Sequence, residues 1–527
     1  MSNKMSTSEI DAPVAEFPAD LPDYPTLIDA LKYAVEVAPD RISMVCEAHS
    51  VTYAEYARAV AGLARMLREM GAQGRRVVVM MFNSIEASVA SVGTMAAGAQ
   101  VVLTNPTYHE NELRPVMEDT DPVAIITDDA GAEKVQQLAA TFDIEHVVHL
   151  GRSGIDIAQW TRDESLKLPD DLPASEDMAA MFFTGGTTGV PKGANHTHSM
   201  LVAFCRMLAA VLKYRFDEER MLSVAPMFHI FGHHYTNLLP LYLRALIVVI
   251  PRYKPELVLE GFETYRITVF SGGPAAIYVG LMAHENMDRT DFTHLKYGIS
   301  GGSACPEQVI KSWQERTGSV FLEGYGMSEG APITQTPPEG PHKLLSVGIA
   351  PPGCEIRIVD IETGETVLAT GERGEVCIRG PQMTQSYCNR PEETARAIRD
   401  GWFYTGDIGY LDADGYLFLV DRKKEMIIVG GYNVYPREID ELLHKHPAVH
   451  EAAAIGVPHE FRGEEVKAYV SLYPGKSVTE EELIAYCADN LAKYKVPASI
   501  TFLDGLPKTA ANKINKLALK ARAREGN

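Results

Sequence analysis

The chain lacks paired cysteines. Its seven, Cys46, Cys205, Cys305, Cys354, Cys377, Cys388 and Cys487, are scattered without a C-x-x-C spacing. That excludes a disulfide framework and a zinc site of the usual spacing, and it fits a reducing compartment. Long apolar runs are also missing. Stretches such as Ala245 to Ile250 fall far short of the about 20 residues that span a bilayer, so no transmembrane segment is expected. The opening MSNKMSTSEIDAPVAEF has no apolar h-region and is not a secretory signal. The end, Glu525-Gly526-Asn527, is no peroxisomal address. Positive charge is scarce. A formal net charge of −21 argues against general affinity for nucleic acid or anionic membrane. The usual nucleotide loop is absent too: the only Gly-Lys-Ser, Gly475 to Ser477, has Val470 where the leading glycine belongs. Neither an internal repeat nor a low-complexity segment is found. A cytoplasmic enzyme is the expectation that survives these exclusions.

What is present is an ordinary globular composition, 46% hydrophobic and 23% charged over 527 residues, long enough for two to four domains. Residues 1–25 read as an acidic, proline-bearing, flexible arm. From 26 to 422, apolar β-branched runs alternate with helical patterns. Strand candidates are Arg76 to Met81, Ala124 to Thr127, Met178 to Phe183, Thr268 to Ser271 and Val320 to Leu322. Tyr53 to Met70 is amphipathic, with Tyr56, Val60, Leu63 and Leu67 on one face. Alternation of this kind predicts an α/β class with largely parallel sheets. Gly353 to Val376 and Gly415 to Val420 predict a small β subdomain. The sharpest boundary is VDRKKEMIIVGG, Val420 to Gly431. Residues 423–527 after it predict a separate, small, mobile α+β domain. It has a helix after Pro436 and strands over Ala452 to Ile455 and Val466 to Leu472. A further helix is capped by Thr479 with Glu482 three residues on.

Chemistry concentrates in a few short stretches. Phe182 to Gly193 reads FFTGGTTGVPKG, a glycine-rich loop after a strand, where small residues let backbone N–H groups approach an anion. A tight connection with no ligand is the competing reading. Phe321 to Gly330 reads FLEGYGMSEG, and Gly401 to Gly409 reads GWFYTGDIG. Gly430 to Asp440 reads GGYNVYPREID, and Pro507 to Leu517 reads PKTAANKINKL.

Taken in this order, the stretches resemble the adenylate-forming superfamily of acyl-CoA synthetases, luciferases and peptide-synthetase adenylation domains, from about Tyr53 to Leu517. The resemblance implies that Thr184, Gly185, Gly186, Thr187, Thr188 and Lys192 form the loop over the β- and γ-phosphates. Tyr325 stacks on adenine, with Gly301, Gly302 and Ser303 edging the pocket and Glu323, Gly324, Gly326, Met327 and Ser328 continuing the nucleotide contact. Glu329 binds Mg²⁺. Asp407 takes the ribose hydroxyls, since a carboxylate has two acceptor oxygens, and Arg422 adds a donor. Lys424 is the hinge. Lys513 is the mobile catalytic lysine, and His229 stands where acyl and nucleotide sites meet. Phe231, Gly232, Gly302, Gly326 and Ala331 join His229 around the acyl group, where Gly232, Gly326 and Ala331 leave room for it. Gly430, Gly431 and Tyr432 line the passage for the pantetheine arm of coenzyme A. A homodimer is compatible with this reading. Two positions depart from the family pattern. Gly185 stands where many members have serine, and Asn512 stands where glycine usually precedes the lysine, so Lys508 and Lys516 are rival lysines.

The implied reaction activates a carboxylic acid with ATP to an acyl-adenylate, releasing pyrophosphate, and then transfers the acyl group to coenzyme A, releasing AMP. Medium- or long-chain fatty acids are the first substrate reading. Aryl or aryl-propenoate acids, or loading of a separate carrier protein, are the alternatives. The chain stops soon after Lys513 with no fused carrier domain, which argues against a peptide-synthetase module. Competing readings accompany several residues. Gly326 to Gly330 also matches the G-x-S-x-G elbow of serine hydrolases, with Ser328 as nucleophile, but the prolines after it forbid the required helix. Trp402 and Phe403 read as packing and Lys423 as a solvated charge. His444, His446 and His450 read as a helix C-terminus more readily than as a metal site.

Overall fold

The computed structural model describes residues 15–184, 191–302, 305–459, 461–508 and 514–525. The chain forms two compact units. The first comprises Met1–Ile356, Ile378–Phe403 and Gly415–Leu417, and the second Arg357–Cys377, Tyr404–Asp414 and Phe418–Asn527.

In the first unit, short β-branched runs are buried on both faces, as parallel strands covered by helices must be. One sheet of six strands runs in the order His146–His149, Ala124–Thr127, Arg76–Met80, Gln100–Leu103, Met178–Thr184 and Lys192–Thr197. All its pairs are parallel except the last. A second sheet of eight strands runs Gly330–Gln335, Val320–Met327, Tyr297–Gly301, Val269–Gly273, Arg220–Ser223, Leu246–Val249, Ile42–Cys46 and His49–Thr52. Its interior is parallel and its two edge pairs are antiparallel. The helix Tyr53–Glu69 begins where Thr52 and Glu55 form a reciprocal capping box, and it buries Tyr56, Val60, Leu63 and Leu67.

Two expectations are lengthened by pairing. The strand expected to end at Leu322 continues to Met327, because EGYGM pairs with Gly330–Gln335. Pro332 sits in that partner strand, which is a sheet edge, where a missing N–H costs no ladder bond. The strands that flank residues 185–190 likewise pair antiparallel as the two arms of a hairpin, with Thr184 opposite Lys192.

The second unit contains a five-stranded sheet. Tyr432–Val434, Ile427–Val429, Gly463–Leu472 and Val449–His459 follow one another, and Ser499–Phe502 pairs with Gly463–Leu472. Ile439 and Leu443 of the helix Pro436–His444 and Leu483 of the helix Glu480–Asn490 close its core. Thr479 and Glu482 form the expected capping box. The α/β layering of the large part and the α+β character of the small one agree with the expected fold class. Among the described residues no helix is long and apolar enough to cross a membrane. All seven cysteines are free and buried.

One buried charge ties the amino ends of three strands of the eight-stranded sheet. Glu219 accepts from Lys296 Nζ (2.9 Å), from the Thr268 hydroxyl (2.5 Å) and from the Arg215 N–H (3.1 Å). Its side chain is 1% exposed. Glu219→Ala is expected to lower unfolding free energy by about 2 kcal/mol, because the Arg215 N–H and the Thr268 hydroxyl lose their acceptor while Lys296 can turn to solvent. Urea titration checks this, with Glu219→Gln expected to fall between the two.

Candidate active site

The glycine-rich hairpin presents Thr184 and Lys192 opposite each other at its mouth. Gly185, Gly186, Thr187 and Thr188 of its loop lie outside the described residues, as do Ser303, Asn512 and Lys513. Lys192 directs its ammonium over the ring of Tyr387, 5.3 Å from the centroid, within cation–π range.

Tyr387 leads to the second hairpin. Its phenol donates to Glu329 Oε1 at 2.7 Å. Burial, and then the neighbouring carboxylate, push the phenol's pKa up, so it stays protonated and can donate. Ser328 and Glu329 form the two-residue turn between Met327 and Gly330. A strand follows this turn, so the strand-turn-helix elbow that a Ser328 nucleophile needs is absent. The turn is held from behind as well. His196 Nε2 donates to the Ser328 carbonyl at 2.8 Å, and Thr384 N donates to the Glu329 carbonyl at 2.7 Å. Nothing in residue spacing points to Tyr387, His196 or Thr384. Their contacts arise only because the edges of two different sheets, and the 382–388 segment between them, meet.

Other expected residues gather at the carboxyl ends of the parallel strands, where open α/β sheets bind ligands. Tyr325, half-buried, pairs with Thr334. Gly301 ends its strand with Phe231 close by: a Cβ there would lie 3.2 Å from the Phe231 ring and 3.1 Å from the Gly324 carbonyl. Gly302 has φ +81° and open space around it. Glu323 accepts from the Cys305 N–H at 3.1 Å. Phe231 stacks on Tyr235, with centroids 4.5 Å apart. His229 is exposed and caps the helix Ile230–His233, accepting from Phe231 N. The expectation that Gly232 leaves room for substrate needs correction. A Cβ at Gly232 would fall 2.0 Å from the Pro226 carbonyl, so its missing side chain admits neighbouring backbone. Gly326 similarly clears Ala331, whose Cβ would be 2.9 Å from its own.

Behind this face lie buried histidines that no spacing pattern groups. His196, His233 and His234 surround Phe182, with ring centroids 5.2–5.5 Å from it. His233 Nε2 meets the Ser91 hydroxyl at 2.8 Å. Burial holds His196 near pKa 4 and His233 near 3, and it lowers His234 well below the ordinary value. His198, opening the next helix, is buried and held near 4 for the same reason. All four are neutral at pH 7.

The second unit holds the remaining candidates. Asp407 is buried, and Arg422 on the neighbouring strand approaches its Oδ1 at 3.2 Å. Lys423, expected to be solvated, instead pairs with buried Glu375 at 2.7 Å. Lys424 lies in the turn after Leu417–Arg422. Gly430 and Gly431 take φ of +57° and +85°, with no atom within 4 Å of where a Cβ would be. Exposed Tyr432 stacks on Tyr494 at 4.7 Å. The rival lysines are both committed: Lys508 pairs with Glu451 (2.5 Å) and Lys516 with Asp440 (2.8 Å). His446 and His450 pack edge-on against Tyr486 and Tyr473, and His444 bonds the Asp440 carbonyl. Trp402 and Phe403, in the first unit, are buried as packing residues.

These residues fit the groups the motifs imply. Glu329 offers the hard oxygen donor that Mg²⁺ takes. Lys192 offers a cation beside a glycine-rich loop, and Gly430-Gly431 offers backbone clear of side chains. The fold and the two hairpins define an adenylate-forming enzyme. Family comparison makes this specific: the model of the AMP-binding enzyme family matches residues 31–388, and that of the AMP-binding enzyme C-terminal domain matches residues 438–513. The chain belongs to the AMP-binding enzyme family. It is 34% identical over 540 residues to a long-chain-fatty-acid–CoA ligase of Bacillus subtilis, covering 95% of this chain and 96% of that one. A ligase of the same description from Escherichia coli O157:H7 is 32% identical over 552 residues, covering 96% and 97%. Among solved structures, ATP-bound MatB from Rhodopseudomonas palustris matches with a TM-score of 0.88 at 29% identity, covering 95% of this chain and 99% of that one. The anthranilate CoA ligase AuaEII in complex with anthranoyl-AMP matches with a TM-score of 0.86 at 26% identity, covering 96% and 98%.

The buried histidines predict an acid-sensitive fold. Unfolded, each titrates near its ordinary 6.5; folded, His196, His198 and His233 titrate at about 4 or below. Their contribution is complete above pH 6.5 and is lost as pH falls toward 4, because only the unfolded chain takes up protons in that window. The loss is about 1.4 kcal/mol per pH unit per histidine. His198 Nε2 has no hydrogen-bond partner among the described residues. His198→Leu is therefore expected to cost little at pH 7.5 and to remove about one proton from the slope. Urea midpoints at pH 7.5 and 5.5 check this, and an unchanged slope would refute it.

Proposed function

We propose that the protein is an ATP-dependent carboxylic acid–CoA ligase that forms an acyl-adenylate and then a thioester, acting on medium- or long-chain fatty acids. The observation that carries this is the pairing of Lys192 and Glu329 across one tyrosine, at the mouths of two hairpins. Chain-long similarity to fatty-acid–CoA ligases supports it. In this reading Lys192, Thr184 and the 185–188 loop bind the phosphates, and Tyr325, Gly301, Gly302 and Ser303 take the adenine. Asp407 and Arg422 take the ribose, and Glu329 holds Mg²⁺. Bound there, Mg²⁺ screens the triphosphate so that an anionic carboxylate can approach it. His229, Phe231 and Ala331 border the reacting acyl group. Lys513 brings a positive charge to the carboxylate and the α-phosphate. Lys424 serves as the hinge, and Gly430, Gly431 and Tyr432 pass the pantetheine arm. The buried thiols support a cytoplasmic setting.

A second substrate reading, an aryl acid, draws on one observation. The Phe231 ring, backed by buried Tyr235 at 4.5 Å, lies beside Gly301 and offers an apolar face suited to an aromatic ring. Pyrophosphate exchange across a panel of fatty, benzoic and aryl-propenoic acids separates the two. Fatty acids are expected to give the highest exchange, with AMP as the nucleotide product. Formation of ADP and phosphate, or ester hydrolysis without nucleotide, would sink the reaction class itself.

The catalytic lysine has its own test. Lys513→Ala is expected to slow adenylation by roughly 10²-fold or more through loss of a preorganised charge. The same variant, given ready-made acyl-adenylate and coenzyme A, is expected to form thioester near the wild-type rate. Lys424→Pro should show the opposite pattern, since proline fixes φ at the hinge. Equal damage to both half-reactions in Lys513→Ala would disprove the assignment.

A further inference from the structure

Tyr387 belongs to none of the motifs that point to nucleotide chemistry, yet it touches two residues that carry it. Its hydroxyl donates to Glu329 Oε1 at 2.7 Å, and its ring face lies beneath the Lys192 ammonium at 5.3 Å. The tyrosine is itself fixed. It is 8% exposed, it bridges to Ala194 beside the glycine-rich hairpin, and its N–H donates to Thr394 Oγ1 at 3.0 Å. The phenol therefore has a defined position from which to orient a carboxylate.

We propose that Tyr387 is a positioning residue that presents Glu329 to Mg²⁺ as a one-oxygen ligand, an inference that rests on the reading of Glu329 as the metal carboxylate. The terminal torsion of a glutamate is broad, so a carboxylate without a fixed partner rotates freely. A charge-assisted bond to one oxygen stops that rotation. An oxygen that accepts from Tyr387 is poorly disposed to serve as the second arm of a chelate. One-oxygen ligation suits Mg²⁺, which demands compact octahedral geometry and keeps several waters, whereas Ca²⁺ tolerates two-oxygen carboxylates and higher coordination. Tyr387 thereby sets cation preference as well as carboxylate direction. Its ring keeps the Lys192 charge beside the same site.

Binding without turnover tests this. Calorimetric titration uses α,β-methylene ATP as its Mg²⁺ complex, as its Ca²⁺ complex and free of metal, with no carboxylic acid present. Tyr387→Phe keeps the ring and loses only the hydroxyl. It is expected to weaken the Mg²⁺ complex about tenfold, to change the Ca²⁺ complex by less than about twofold and to leave metal-free nucleotide unchanged. Glu329→Gln, run in parallel, is expected to weaken both metal complexes. Loss of both complexes to the same degree in Tyr387→Phe, or of neither, overturns the inference about Tyr387 while Glu329→Gln still reports on the metal. If Glu329→Gln leaves both metal complexes as tight as in the wild type, the metal assignment of Glu329 fails and the inference fails with it. A folding defect in Tyr387→Phe lowers the stoichiometry of binding and leaves the Mg²⁺-to-Ca²⁺ ratio at its wild-type value, which also counts against the inference.

Discussion

Hydrogen bonds from residues 382–388 hold together two hairpins that belong to different sheets, and the candidate chemistry depends on that strap. On one side Cys388 N donates to the Gly193 carbonyl at 2.7 Å, and the Thr384 hydroxyl donates to the Asn195 carbonyl at 2.6 Å. On the other, Gln382 Nε2 donates to the Pro332 carbonyl at 2.9 Å and Thr384 N to the Glu329 carbonyl at 2.7 Å. Most of these contacts are buried or half-buried, where losing a partner costs the desolvation of the group left behind. The strap therefore has few alternative positions. A lysine from one hairpin and a carboxylate from the other are thus set on either side of a tyrosine that the strap itself supplies.

The histidine layer behind the strap is neutral, and burial makes it so. A net charge of −21 gives a field that disfavours a bound triphosphate, so positive charge has to be concentrated locally, as at Lys192. The histidines behind Phe182 add none. With burial holding them at about 4 or lower, they act as neutral hydrogen-bond partners, His196 to the Ser328 carbonyl and His233 to Ser91. Imidazolium at these positions would put unpaired charge into a low-dielectric layer, at a cost greater than any hydrogen bond could offset.

Much of this was legible in the sequence, and the division has a physical basis. Helix Tyr53–Glu69 and the capped helix at Thr479 follow from periodicity and capping, which are local. The fold class followed from alternation of buried β-branched runs with amphipathic segments. The motif residues were visible because glycine, lysine and carboxylate at short spacing carry their chemistry with them. What could not be read was any contact made where two sheet edges and the segment between them meet. Tyr387 and Glu329 are 58 positions apart, and His196 and Ser328 are 132. Gly232 misled for a related reason. A glycine in sequence cannot reveal whether a ligand or a neighbouring carbonyl occupies its empty side, and here it is the Pro226 carbonyl.

Ion pairing in the second unit bears on which lysine can do the catalytic work. Lys516 lies in a pocket of acids, 2.8 Å from Asp440 and 3.7 Å from Glu425. Burial alone would lower its pKa, but Asp440, Asp421 and Glu425 outweigh burial and raise it. Withdrawing Lys516 would leave Asp440 buried without its partner, at a cost of about 3–5 kcal/mol for a broken buried pair. Lys508 is tied to Glu451, which also accepts from the Leu506 N–H. A lysine that must travel to a reacting carboxylate is poorly chosen where a buried carboxylate depends on it for charge balance. That constraint weighs against Lys516, whose partner Asp440 is buried. It bears less on Lys508, which is more than a third exposed and pairs with a half-buried Glu451, so releasing it costs about 1 kcal/mol or less. The two rivals proposed beside Lys513 are thus unequal, and Lys508 is the one that a comparison of half-reactions has to separate from it.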